Sequence, residues 1–134
     1  MNEEPKLLHN SIQCPDGTIL VSRHRHDFVE HKQEDGREYF IDGRLEYQRV
    51  GYSDRDYTNL AVYEGDNHTL IRERFEWGKN FEKDMNRLPE TIYLKLKDIT
   101  QDHLVALIEY TNGTYNTRIH KVFVDELEYR NLHK

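Results

Sequence analysis

Apolar residues in the first half of the chain come in short runs. Thr18-Ile19-Leu20-Val21, Phe28-Val29, Glu38-Tyr39-Phe40-Ile41 and Leu45 to Val50 are rich in β-branched and aromatic residues and alternate in part with polar ones. That is the period of a half-buried strand. Asp16-Gly17, Asp35-Gly36 and Asp42-Gly43 lie between these runs, and each suits a tight hairpin in which the backbone takes positive φ. The pattern predicts an antiparallel meander over residues 7–50 and a further strand at Leu60-Ala61-Val62-Tyr63. Ser53 to Asn59 reads as a polar break.

The period then changes. Thr69 is placed to cap a helix containing Leu70, Ile71, Arg74, Phe75 and Trp77, with Gly78 to end it. Lys79 to Pro89 is charged and mixed, the composition of an exposed loop. Ile92, Leu94 and Leu96 alternate with polar residues, as in a strand or an extended lead-in. Thr100 caps a helix with Leu104, Leu107 and Ile108 at i, i+3, i+4, closed by Asn112-Gly113. A last helix carries Ile119, Val122, Phe123 and Leu127 on one stripe. Strands first and helices second predict an α+β fold: an N-terminal antiparallel β-meander with C-terminal helices packed on one face. The expected organisation is a single domain over 1–134, mainly β over 7–64 and helical at 69–78, 100–111 and 117–131.

Composition narrows the chemistry. Only 36% of the 134 residues are hydrophobic and 33% are charged, so the core leans on nine Tyr, five Phe and one Trp. A formal charge of −6 argues against broad non-specific nucleic-acid binding, which needs a basic surface. A local arginine cluster can still hold a small anion within a Debye length. Cys14 is the sole cysteine, which leaves no intramolecular disulfide and no thiolate-rich zinc site. Met1 to Pro5 carries neither a basic patch nor an apolar run, so no secretory signal is expected. No run approaches the length of a membrane span, and an intracellular, soluble protein is expected.

The densest chemistry is Arg23-His24-Arg25-His26-Asp27-Phe28, followed by Asp42-Gly43-Arg44-Leu45-Glu46-Tyr47-Gln48-Arg49. If Val21 to Phe28 is a strand, His24 and His26 share one face while Arg23, Arg25 and Asp27 share the other. Arg23, Arg25, Arg44 and Arg49 then form a candidate anion cradle, because guanidinium offers paired planar donors and keeps its charge. Phe28, Tyr47 or Trp77 would stack on a base. The alternative is a set of surface ion pairs with Asp27, Glu38, Asp42 and Glu46, contributing about 0–1 kcal/mol each. His24, His26 and Asp27 are also a candidate metal set, against a polar strand edge bonded to neighbouring backbone. Trp77 reads either as a stacking platform or as a core anchor at a helix end. Arg118 could reach a ligand or be solvated. Walker-type, G-x-S-x-G and H-E-x-x-H signatures are absent from the sequence.

The motif S-x-H-R-H-D-F at Ser22–Phe28, with D-G-x-x-x-Y-x-R at Asp42–Arg49, resembles a family of small proteins of tailed bacteriophages. The runs Leu96 to Leu104 and Phe123 to Arg130 resemble it too. The family pattern includes cysteine pairs flanking the first motif and two glycines after the aspartate. Here Cys14 stands alone and Arg44 follows Gly43, which puts a structural zinc in doubt. Accessory phage proteins of this size often neutralise host immunity, and the inferred architecture is similar to the first Thoeris anti-defence family, which sequesters nucleotide-derived signals without hydrolysing them.

The resulting expectation is a non-catalytic protein in the host cytoplasm that sequesters an anionic, nucleotide-derived signal. It would use Arg23, His24, Arg25, His26, Asp27, Arg44, Tyr47, Arg49, Trp77 and Arg118. The arginines would neutralise phosphate, and Asp27 would orient a guanidinium or accept from a ribose hydroxyl. No cofactor is called for, and a homo-oligomer is expected because pockets deepen at subunit boundaries. Two alternatives stay open: a metal-dependent phosphohydrolase or nuclease using His24, His26 and Asp27, and an inhibitor that binds a host protein.

Overall fold

A computed structural model describes residues 6–23, 27–81, 86–113 and 117–134. The fold is α+β, with short antiparallel strands first and the helices toward the C-terminus. The described residues group into two compact units, 1–65 and 66–134.

The first unit is all β. Strands β1 (Leu7–His9) and β8 (Val62–Tyr63) pair antiparallel. Strand β2 (Ser11–Gln13) lies between β3 (Ile19–Val21) and β7 (Thr58–Asn59). Strand β5 (Glu38–Asp42) lies between β4 (Val29–Lys32) and β6 (Arg49–Tyr52). Ile12, Cys14, Leu20, Tyr39 and Ile41 are buried together, with Val29, Val50 and Tyr57 packed against them.

The first two Asp-Gly pairs build hairpin turns of one design. Gly17 donates to the Cys14 carbonyl while Cys14 donates to Thr18; Gly36 and Gln33 repeat this with Gln33 and Arg37. Gly17 (φ 95°) and Gly36 (φ 90°) take positive φ, and the preceding aspartates do not. Each aspartate instead turns its carboxylate onto the backbone two residues on, at Thr18 (2.9 Å) and Arg37 (3.0 Å). This is a three-residue turn with a glycine bulge, and it needs one left-handed residue instead of two. The turns are tied together: Asp16 N–H donates to Gln33 Oε1 (2.9 Å), and His31 Nε2 meets Asp16 Oδ2 at 2.7 Å.

The third pair does something else. Glu46 and Tyr47 both donate to the Gly43 carbonyl, so Arg44 to Glu46 forms a turn and the strand predicted from Leu45 begins only at Arg49. Gly43 (φ 109°) is followed by Arg44 at φ 50°. A Cβ on Gly43 would collide with the Tyr47 carbonyl. Buried Asn10 holds this turn by donating to the carbonyls of Asp42 and Tyr47, both at 3.1 Å.

The second unit opens with α1 (His68–Arg74), capped by Asn67, whose side chain accepts from Thr69 N. Thr69 is therefore inside the helix and Asn67 is the cap. The predicted helix over 69–78 stops early. Glu76–Phe81 is strand β9, paired antiparallel with β10 (Arg87–Lys95), so much of the predicted loop at 79–89 is hairpin. Trp77 and Phe75 carry the bulky apolar mass in a segment with good strand propensity. Tyr93 lies over Gly78, its cross-strand partner. Pro89 falls where the register shifts between Arg87 and Ile92, a position that tolerates a missing N–H.

Helices α2 (Gln101–Thr111) and α3 (Thr117–Leu132) match the predicted spans closely. Thr100 caps α2 by accepting from His103 N. Leu104, Leu107, Ile119, Val122 and Phe123 are buried. The rings of Phe75 and Trp77 meet Phe123 edge-on, at 5.9 and 5.4 Å between centroids.

Candidate functional site

Of the strand predicted from Val21 to Phe28, the described residues Ser22, Arg23, Asp27 and Phe28 are not strand. Strand β3 ends at Val21 and β4 begins at Val29. Ser22 Oγ donates to the Asp27 carbonyl (2.9 Å), and the Asp27 carboxylate accepts from Arg23 N–H (3.0 Å). These local bonds take the place of ladder bonds at Ser22, Arg23 and Asp27; the predicted split of arginines and histidines onto two faces turns on residues 24–26. His24, Arg25 and His26 lie outside the described residues. The Asp27 carboxylate holds backbone. Among the described residues no group of three or more His, Cys, Asp or Glu is placed to hold a metal ion.

What the structure does bring together are two loops. Ser22 Oγ also accepts from Arg44 N–H at 2.9 Å, which places the loop carrying Arg23 and Asp27 beside the turn carrying Arg44 and Tyr47. Arg44 and Tyr47 are exposed. Arg49 departs from the cradle: its Nε and Nη2 grip the buried Asp42 carboxylate. The ion-pair alternative therefore describes this arginine, and Asp42 holds its guanidinium firmly protonated. Trp77 and Arg118 belong to the second unit, where Trp77 is a half-buried partner of Phe123 in β9. It is a core anchor, in a strand and not at a helix end.

A different surface emerges on the sheet β4-β5-β6. Directly paired residues share a face, and the register pairs Glu30 with Phe40, Phe40 with Gly51, Lys32 with Glu38 and Asp42 with Arg49. The opposite face carries the buried Tyr39 and Ile41. Phe40 lies across Gly51 so closely that a Cβ there would collide with its ring. Phe28, 49% exposed, packs on Phe40 with centroids 4.7 Å apart and the rings tilted by 30°, and the Arg49 guanidinium sits 5.7 Å from the Phe40 ring centre. Beside this platform is an open depression of about 510 Å³, lined from β4 to β6 by residues 30–32, 38–40 and 51–53, among them His31 and Tyr39 as well as Glu30, Lys32, Glu38 and Phe40.

Phe28 was foreseen as a stacking residue; Phe40, Gly51 and Glu30 were not. Phe40 looked like one more strand aromatic, and no local signal says that residue 51, eleven positions on, leaves its ring a floor.

A second charged constellation lies in the second unit. Glu126 is fully buried and accepts from His68 Nε2 (2.9 Å), Arg72 Nε and Nη2 (3.0 Å each) and Arg130 Nε (2.8 Å). Burial pushes this carboxyl up, but the bonds from Arg72, Arg130 and His68 outweigh it and hold it below its ordinary value. Arg130 also donates to the carbonyls of Leu96 and Ile99, and Arg72 lies 4.4 Å from the Tyr129 ring centre. Every carboxylate lone pair is used, which makes this a clamp between α1 and α3. Cys14 is buried, and burial, with help from Asp16, pushes its thiol up, away from nucleophilic chemistry.

No protein-family model, curated protein or solved structure matches this chain. No helix among the described residues is long and apolar enough to cross a membrane. The site itself carries the functional reading: an aromatic platform with a fixed guanidinium at one side and an open, partly charged depression at the other.

Proposed function

We propose that the first unit is a non-catalytic binding module that sequesters an anionic, nucleotide-type ligand on the outer face of the β4-β5-β6 sheet. The observation that carries this reading is the Phe28–Phe40 pair laid over Gly51, with Arg49 alongside. A flat base gains about 1–3 kcal/mol from stacking on such a ring. Asp42 fixes the Arg49 guanidinium by Nε and Nη2; the side chain stays 64% exposed, so its remaining N–H donors are the ones we assign to phosphate. Arg44, exposed on a turn joined through Ser22 to the loop that leads into Phe28, is the further cation we assign to phosphate. The motif resemblance supplies the context: a phage protein that takes a nucleotide-derived host immune signal out of circulation.

Protein purified from infected cells and denatured by heat is expected to release an intact, phosphorylated, base-containing molecule, near one per binding face, detectable by mass spectrometry. Release of no such molecule, or of its hydrolysis products alone, overturns the reading.

A further inference from the structure

We infer that the depression selects a guanine-type base, with Glu30 as the residue that reads it; this rests on the nucleotide reading above. Glu30 faces Phe40 directly across the β4-β5 ladder and lines the depression. Its carboxylate has no hydrogen-bond or ion-pair partner among the described residues, whereas Glu38 lies 3.9 Å from Lys32. A carboxylate only accepts hydrogen bonds, and its two oxygens suit two parallel donors. Guanine offers that pair, N1–H beside the N2 amino group. Adenine and cytosine each place a bare ring nitrogen beside their amino group, which opposes a carboxylate lone pair. Uracil flanks its single N–H with two carbonyls.

The charges also fix which way round the ligand lies. Lys32 offsets Glu38, so Glu30 is the charge that disfavours phosphate in the depression; the base enters it and the phosphate points to Arg49. Glu30 and Arg49 lie on the strands flanking Phe40, offset by two residues along the ladder. Sheet spacing puts their Cα atoms roughly 12 Å apart, about the reach of a mononucleotide from base edge to phosphate.

Isothermal titration of the full chain with GMP, IMP and AMP tests this. GMP is expected to bind at least ten-fold more tightly than AMP, with IMP, which keeps N1–H but lacks the amino group, between them. Glu30→Gln is expected to bring the GMP-to-AMP affinity ratio close to one. Equal affinities in the parent protein, or a GMP preference that survives Glu30→Gln, overturn the assignment of Glu30 while leaving nucleotide binding in place. Binding of none of the three overturns the nucleotide reading itself.

Discussion

A methyl group at residue 51 is enough to test the platform. Gly51 has an ordinary backbone conformation, so the requirement for glycine there comes from the Phe40 ring above it. Gly51→Ala is expected to lift the ring off the sheet and cost at least ten-fold in nucleotide affinity, read by titration, while the far-ultraviolet spectrum stays that of the parent. At Arg44 the situation is reversed. Its φ of 50° is strained for any residue with a Cβ, by about 1–2 kcal/mol. Arg44→Gly is expected to raise unfolding stability by up to about 1 kcal/mol, part of the relief being offset by the freer unfolded chain. It is also expected to weaken binding of a phosphorylated ligand. Urea melts and titration read the two effects separately, and a stabilised variant with undiminished affinity would remove Arg44 from the site.

Elements are held in place by a few buried or half-buried bonds, and these make sharper predictions than propensity does. In the first unit the β2-β3 turn is tied to β4 by Asp16. The hydrogen bond from His31, helped by Thr18 N–H, lowers its carboxyl from 3.8 to about 2. A lowered carboxylate contributes stability that is complete above its unfolded pKa and is lost as pH falls through the folded one. The window is therefore pH 4 down to 2. Urea midpoints of the parent are expected to fall more steeply across it than those of Asp16→Asn; parallel curves would show that the tie contributes nothing. In the second unit, Glu126→Ala leaves Arg72, Arg130 and His68 facing a void. Removing one side of such a buried ionic cluster costs about 3–5 kcal/mol, measurable by urea denaturation. A loss under about 1 kcal/mol would mean that Glu126 does not organise the contact of α1 with α3.

How much of this was legible varies with the range of the forces involved. The Asp16-Gly17 and Asp35-Gly36 turns, Thr100 and the i, i+3, i+4 stripes are local, so the β-rich first half and helices α2 and α3 could be read directly, while Asp42-Gly43 could not. Trp77-Gly78 misled, because a tryptophan followed by glycine resembles a helix end until β10, more than ten residues later, supplies its pairing partners. Ser22 to Phe28 misled for the opposite reason. Its alternation is strand-like, but at its described ends the Ser22 and Asp27 side chains bond to the Asp27 carbonyl and the Arg23 N–H. Glu126 sits at helical spacing from Val122 and Phe123, on the buried stripe, where no local signal accounts for a charge. Arg72, 54 positions earlier, explains it.

At the scale of the whole molecule, five of the six net negative charges fall within residues 1–65, the unit proposed to bind an anion. Attraction at long range therefore does little, and affinity must come from contact: stacking on the Phe28–Phe40 pair, Arg49 held in register by Asp42, and donors aligned with Glu30. Such binding is expected to depend weakly on salt compared with a basic nucleic-acid surface. Titrating GMP into the ¹⁵N-labelled full chain, with amide shifts followed by NMR, puts this to the most direct test. The account predicts saturable shifts concentrated at Glu30, Phe40, Gly51 and Arg49, lost in Gly51→Ala. Shifts centred within residues 66–134, or no shifts at all, would contradict it.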